Sequence, residues 1–149
     1  MLRDDLQTWG TSRGNRLECG YPAGYPLHAT ICTWQGYNAF VDHRLALEVF
    51  RLVVEQEYTL AACLMPDHLH WLLADASRAP DAVSRFKSLS TRVSWQGSIR
   101  GRLWQRSYWD HVIRRQEDLR EVAEYIIQNP VRAGLVRQAD EYPWQIMKL

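Results

Sequence analysis

The apolar pattern of the chain begins after residue 26. Residues 27 to 34 (LHATICTW) are rich in β-formers and short enough for one strand, whereas 42 to 57 place Leu45, Val49, Leu52 and Val53 at the three- and four-residue steps of a helix. Two apolar runs, YTLAACLM (58 to 65) and HLHWLLA (68 to 74), are separated only by Pro66 and Asp67 and predict a tight antiparallel hairpin. A second helix is expected over about 80 to 95, with Ala82, Val83, Phe86, Leu89 and Val93 on one side and its end before Gly97. YWDHVIRR (108 to 115) has the content of a fourth strand, and EDLREVAEYIIQN (117 to 129) reads as a third helix stopped by Pro130. The order β-α-β-β-α-β-α predicts an α+β fold: an antiparallel sheet of four to five strands, split β-α-β or ferredoxin-like, with the helices on one face and the other face free to meet a ligand. Residues 10 to 26 instead hold Gly10, Gly14, Gly20, Pro22, Gly24 and Pro26, so a flexible arm is expected over 1 to 26 ahead of one domain over 27 to 149.

Charge adds a direction. The 149 residues balance 18 Lys and Arg against 17 Asp and Glu, but residues 78 to 115 hold nine bases against Asp81 and Asp110, a local net of +7 that leaves −6 for the rest. Sixteen of the 18 bases are Arg, whose planar fork grips phosphate oxygens in pairs and stacks on bases. The segment is read either as a solvated charged face or as a seat for an anionic partner such as nucleic acid. Cys19, Cys32 and Cys63 are odd in number and lack C-x-x-C spacing, which argues against a disulfide framework or a cysteine zinc site and fits a reducing cytoplasm. No stretch approaches the roughly 20 apolar residues of a membrane span, and Asp4 and Asp5 stand where a signal peptide needs an apolar core. A soluble, cytoplasmic protein is expected.

Two constellations carry candidate chemistry. In a strand, His68 and His70 project to the same side with Cα atoms about 7 Å apart, near enough to share one divalent ion. Spacing alone leaves that reading beside a second, two strand histidines with no ligand. On the third helix, Leu119, Val122, Ala123, Ile126 and Ile127 cluster in one direction, with Tyr125 roughly 130° and Asn129 roughly 90° away from it. Tyr125 and Asn129 share an i, i+4 face, so a phenol and an amide can point at one spot; the plainer reading is a boundary tyrosine with a capping Asn.

MPDHLHWLL (65 to 73), LWQRSYWDHVIR (103 to 114), YIIQNPVRAGLV (125 to 136) and YPW (142 to 144), in this order, resemble the single-tyrosine HUH transposases and, within them, the REP-associated tyrosine transposases, which process palindromic repeats in bacterial genomes. The resemblance runs from about Leu27 to Trp144. It implies a fold of the HUH nuclease type, with His68 and His70 as paired metal ligands and Tyr125 as the nucleophile. Relatives carry a Gln as third ligand four residues after the tyrosine; here that place is held by Asn129, one methylene shorter. The implied activity is cleavage and rejoining of single-stranded DNA at hairpin repeats through a 5′-phosphotyrosine. The ion is expected to be Mg²⁺ or Mn²⁺, the latter better suited to imidazole, and the protein a monomer or a homodimer. Arg85, Lys87, Arg92, Arg100, Arg102, Arg106, Arg114 and Arg115 are the expected DNA-binding bases. His111, common in the family, receives no role.

Three other readings compete. A histidine-triad hydrolase would continue the alternation to a third His, but position 72 is Leu72; a two-histidine phosphoesterase needs a second H-x-Ser/Thr element, and neither His28-Ala29-Thr30 nor His111-Val112-Ile113 pairs convincingly with the first. The alternative from another class is a non-catalytic module that stacks single-stranded bases on a ferredoxin-like sheet, with Trp34, Trp71, Tyr108 and Trp109 on predicted strands. A covalent DNA adduct separates it from the transposase reading.

Overall fold

The computed structural model describes residues 20–149, the backbone alone at Gln116 and Glu117, and the backbone of Ser12 and Arg13. Most of the arm expected over 1 to 26 lies outside the described residues. The described elements are β1 (Ser12–Arg13), β2 (Leu27–Cys32), α1 (His43–Val54), β3 (Thr59–Met65), β4 (His68–Leu73), α2 (Ala79–Ser94), β5 (Trp109–Val112), α3 (Gln116–Arg132) and β6 (Gln145–Met147). The strands form one antiparallel sheet in the order β1-β5-β2-β4-β3-β6. The α+β antiparallel class is the expected one, with β1 and β6 added at the two edges. Among the described residues, no helix is long and apolar enough to cross a membrane, and Cys63 is a buried free thiol.

Local chemistry sets the elements. Asp42 caps α1, its carboxylate accepting from the amides of Arg44 and Leu45. Pro66 and Asp67 turn the β3–β4 hairpin so that Met65 pairs with His68. Pro130 does not stop α3, contrary to the sequence expectation. Its missing N–H removes one bond in the last turns, and the helix runs on to Arg132. It ends at Gly134 (φ +75°), whose amide donates to the Val131 carbonyl while that of Leu135 donates to the Pro130 carbonyl, the crossed pair of bonds that closes a helix on a left-handed residue.

The two faces of the sheet are both covered. Leu27, Ala29 and Ile31 of β2, Leu64 of β3 and Leu69, Trp71 and Leu73 of β4 pack against Leu45, Val49 and Val53 of α1 and Val83 and Phe86 of α2. On the opposite face Ala61, Cys63, Met65 and Leu72 pack against Val122, Ala123 and Ile126 of α3. The expectation of all helices on one face is thus corrected for α3. The reason lies in β3, whose residues are apolar on both sides, so that each side requires a cover.

Candidate active site

Strand alternation assigns the face under α3. His68 and His70 of β4 point to it, as do their partners across the β2–β4 ladder, Cys32 opposite His68 and Thr30 opposite His70. His28 lies on the same face, and its partner across β5 is His111. Four histidines from three strands therefore share one side of the sheet, and α3 lays Tyr125 over them. The Tyr125 ring stands edge-on to His70 and to His28, at centroid distances of 6.0 and 6.5 Å.

The hydrogen bonds fix how the two predicted ligands present themselves. His68 Nδ1 is 2.7 Å from Asp67 Oδ1, and His70 Nδ1 is 3.0 Å from His28 Nε2 and 3.3 Å from Thr30 Oγ1. With each Nδ1 occupied as the N–H donor, the two Nε2 atoms are left converging, 3.2 Å apart. Two lone pairs at that separation repel unless a proton or a cation lies between them. Two nitrogen ligands on one ion, each about 2.1 Å away, are about 3.0–3.4 Å apart for octahedral or tetrahedral angles, so the pair fits a divalent ion. Asn129, one turn beyond Tyr125, is 1% exposed, and its Nδ2 has no hydrogen-bond partner among the described residues. A buried amide of this kind is a third donor in search of a partner, since its oxygen and nitrogen are exchangeable by a flip. No group of three or more His, Cys, Asp or Glu suited to a metal occurs among the described residues, so the donor set is two imidazoles and an amide.

Burial keeps the His70 and His28 imidazoles neutral. Burial, reinforced by His68, His28 and Arg132, holds His70 well below the ordinary histidine range. His28 is lowered to about 3 by burial first and then by His111 and His68. Both can offer lone pairs at neutral pH. Arg132 approaches Tyr125 from the end of α3, its guanidinium 4.0 Å from the ring centroid and its Nη2 donating to the Tyr125 carbonyl at 2.7 Å.

The predicted DNA-binding bases do not form one patch. Arg85 senses Tyr58, and Arg114 lies over Tyr25, both at the end of the sheet away from His68. Arg102 lies over Trp34, and Arg106 lines the same cleft, close to the His68 end. Lys87 donates to the carbonyls of Gln105, Arg106 and Ser107, and Arg100 to those of Trp95, Gly97 and Ile99, so these two brace loops. Arg92 and Arg115 are exposed. Sequence reasoning passed over Asp67, His28, Thr30 and Arg132. For Asp67 the signal was adjacency to His68; for His28 and Thr30 it exists only once β2 is aligned with β4.

A REP-associated tyrosine transposase of Escherichia coli K12 is 30% identical over 83 residues, covering 54% of this chain and 48% of that protein. A Haemophilus influenzae protein provisionally given the same name is 30% identical over 99 residues, covering 58% of this chain and 56% of that protein. Over a little more than half its length, the chain is similar to proteins named REP-associated tyrosine transposases. It spans about half the length of the curated relatives it matches. A solved structure of a REP-associated tyrosine transposase bound to a REP hairpin shares the fold, with a TM-score of 0.69 at 20% identity over 88% of this chain and 81% of that one. No protein-family model matches the chain.

Proposed function

We propose that the chain is a divalent-metal-dependent endonuclease and transposase that cleaves and rejoins single-stranded DNA at hairpin repeats through Tyr125. The observation that carries this reading is the Tyr125 ring standing 6.0 Å from His70, above two imidazole nitrogens that converge to 3.2 Å. His68, His70 and Asn129 would hold the ion, Mg²⁺ or Mn²⁺. When bound, such an ion polarises a phosphate oxygen and helps place the scissile group.

The chain's own residues do the rest. Tyr125 Oη attacks the phosphorus in line and gives its phenolic proton to solvent, while the bond from phosphorus to the 3′ oxygen breaks and that oxygen takes a proton from solvent to leave as a 3′-hydroxyl. The 5′ phosphate remains on the tyrosine, and attack by another 3′-hydroxyl reverses the step. Arg132, fixed against the ring, sets a positive charge beside the phenol as it loses its proton and beside the incoming phosphate. Asp67 and His28 hold the two imidazoles in the tautomer that turns Nε2 toward the ion.

The test is incubation with single-stranded hairpin DNA from the repeats around its own gene, in Mn²⁺, followed by a denaturing gel. A protein–DNA adduct that withstands boiling in detergent is expected from the wild type and not from Tyr125→Phe or from the His68→Ala, His70→Ala double variant. Tight hairpin binding with no adduct and no cleavage would leave the non-catalytic single-strand-binding module.

A further inference from the structure

We propose that two adjoining clefts beyond the His68 end of the sheet, one walled by Trp34 and the other by Trp95, receive unpaired nucleotides of the strand that runs to Tyr125. This rests on the single-stranded DNA reading and adds to it a place and a ligand chemistry. Cys32, the last residue of β2, pairs with His68; the next residue, Thr33, donates through its amide and its hydroxyl to the Asp67 carbonyl at 2.9 and 3.0 Å. Trp34 follows, its amide bound to the Leu103 carbonyl at 2.8 Å, and the Gln105 amide returns to the Cys32 carbonyl at 2.9 Å. The Trp34 turn and the 103–105 segment are therefore tied to the strand end that carries His68, with Trp34 about 7 Å beyond it at the usual rise of a strand.

The first cleft, about 750 Å³, lies between Trp34 and Arg102 and Arg106; the second, about 430 Å³, lies between Trp95 and the same two arginines. Both tryptophans are unusual in exposure, 42% for Trp34 and 49% for Trp95, where Trp71 and Trp104 are buried in the core. Neither is loose. The Arg102 guanidinium sits 4.6 Å from the Trp34 ring centroid, and the Trp95 indole N–H donates to the Gly101 carbonyl at 2.7 Å. Beside Trp34 in the first cleft, Gln35 is held at φ +56°, the one non-glycine residue with a positive φ among the described residues, a conformation that persists where surrounding structure imposes it.

The lining decides the occupant. Neither cleft has an acidic side chain, and residues 82 to 109 contain no Asp or Glu at all. An indole face beside guanidinium groups suits a flat ring carried on a phosphate chain: the base stacks on the indole while Arg102 and Arg106 take the phosphates. Duplex bases, already stacked on each other, cannot do this. The shared arginine wall makes the two clefts successive positions along one strand.

The experiment uses the full chain with three probes: a ten-nucleotide oligothymidylate, an abasic ten-mer of the same charge, and a thymidine ten-mer carrying 5-bromouracil for photocrosslinking. The oligothymidylate is expected to bind more tightly than the abasic ten-mer. Trp34→Ala and Trp95→Ala should each weaken it by about 5- to 150-fold, the range for one lost base stack, with little change for the abasic probe. Trp34→Phe and Trp95→Phe should recover most of the loss, which a folding defect would not. Crosslinks should map to peptides containing Trp34 or Trp95. Crosslinks elsewhere, or alanine variants with wild-type preference for bases, would overturn the clefts while hairpin cleavage left the transposase reading standing. Absence of both single-strand binding and cleavage would remove both.

Discussion

Replacing His28 by Phe tests the arrangement around the histidine pair most sharply. Phe keeps a ring in the space of a side chain that is 3% exposed, and removes the nitrogen that lies 3.0 Å from His70 Nδ1. Loss of such an outer partner typically weakens metal binding by about 10- to 100-fold, or about 1.4–2.7 kcal/mol. The structure argues for the lower part of that range, because Thr30 Oγ1, 3.3 Å from the same Nδ1, remains as an acceptor. The expected outcome is a fall in Mn²⁺ affinity of about tenfold for His28→Phe, approaching 100-fold when Thr30→Val removes the reserve acceptor as well. Free Mn²⁺ can be read directly from its electron paramagnetic resonance signal, with circular dichroism to check the fold and cleavage measured against Mn²⁺ concentration in parallel. High Mn²⁺ should restore cleavage in the single variant. A double variant that folds and binds Mn²⁺ within twofold of the wild type would refute the outer-partner role of His28 and Thr30.

Other outcomes follow from the same geometry. Asn129→Ala should lower cleavage less than His68→Ala or His70→Ala, because an amide is the weakest donor of the three; equal losses from all three in metal titrations would contradict that ranking. Arg132→Ala should cut the rate of adduct formation by about 10- to 100-fold, the scale of one charge-assisted contact, with Arg132→Lys intermediate; single-turnover gels measure it. Lys87 is lowered by burial to about 8, so between pH 8 and its ordinary value near 10.5 the unfolded chain binds more protons than the folded one. The Lys87 contribution to stability should therefore rise with pH across that window, opposite in sign to that of the buried Cys63 thiol, so in chemical denaturation the wild type should gain stability relative to Lys87→Met between pH 8 and about 10.5.

Much of this was legible along the chain because the signals are local. The 58–65 and 68–74 hairpin, the helix read from Leu45, Val49, Leu52 and Val53, and the placing of Tyr125 and Asn129 one turn apart on a helix each depend on spacing within a few residues, and each stands in the structure. What sequence spacing could not show was non-local or ambiguous. TLAACLM is buried on both sides, a pattern that announces a sheet covered on both faces, yet it reads equally well as one side of a hairpin. Gln145–Met147 and Ser12–Arg13 are too short to show alternation and become strands only through their partners. His28 looked solitary in LHATIC; its proximity to His70 arises from a ladder joining residues 42 positions apart. Pro130 was read as a stop but lies inside the helix, whose end is made by Gly134.

The last strand has a bearing on whether two copies can trade parts. After α3 the chain returns to the edge of β3, where Gln145, Ile146 and Met147 pair with Cys63, Ala62 and Ala61. On either side of that pairing the Leu64 amide donates to the Trp144 carbonyl and the Lys148 amide to the Leu60 carbonyl, while the Tyr142 hydroxyl is anchored on the Leu64 carbonyl at 2.6 Å. The helix bearing Tyr125 is thus threaded between two strands of its own sheet, and handing it to a neighbour would mean unstitching one of them. On the proposed mechanism, the histidines and the tyrosine of one molecule should act as a closed set, with cleavage first order in protein. Mixing a Tyr125→Phe chain with a His68→Ala, His70→Ala chain should then restore no cleavage, because neither can lend the other its missing half.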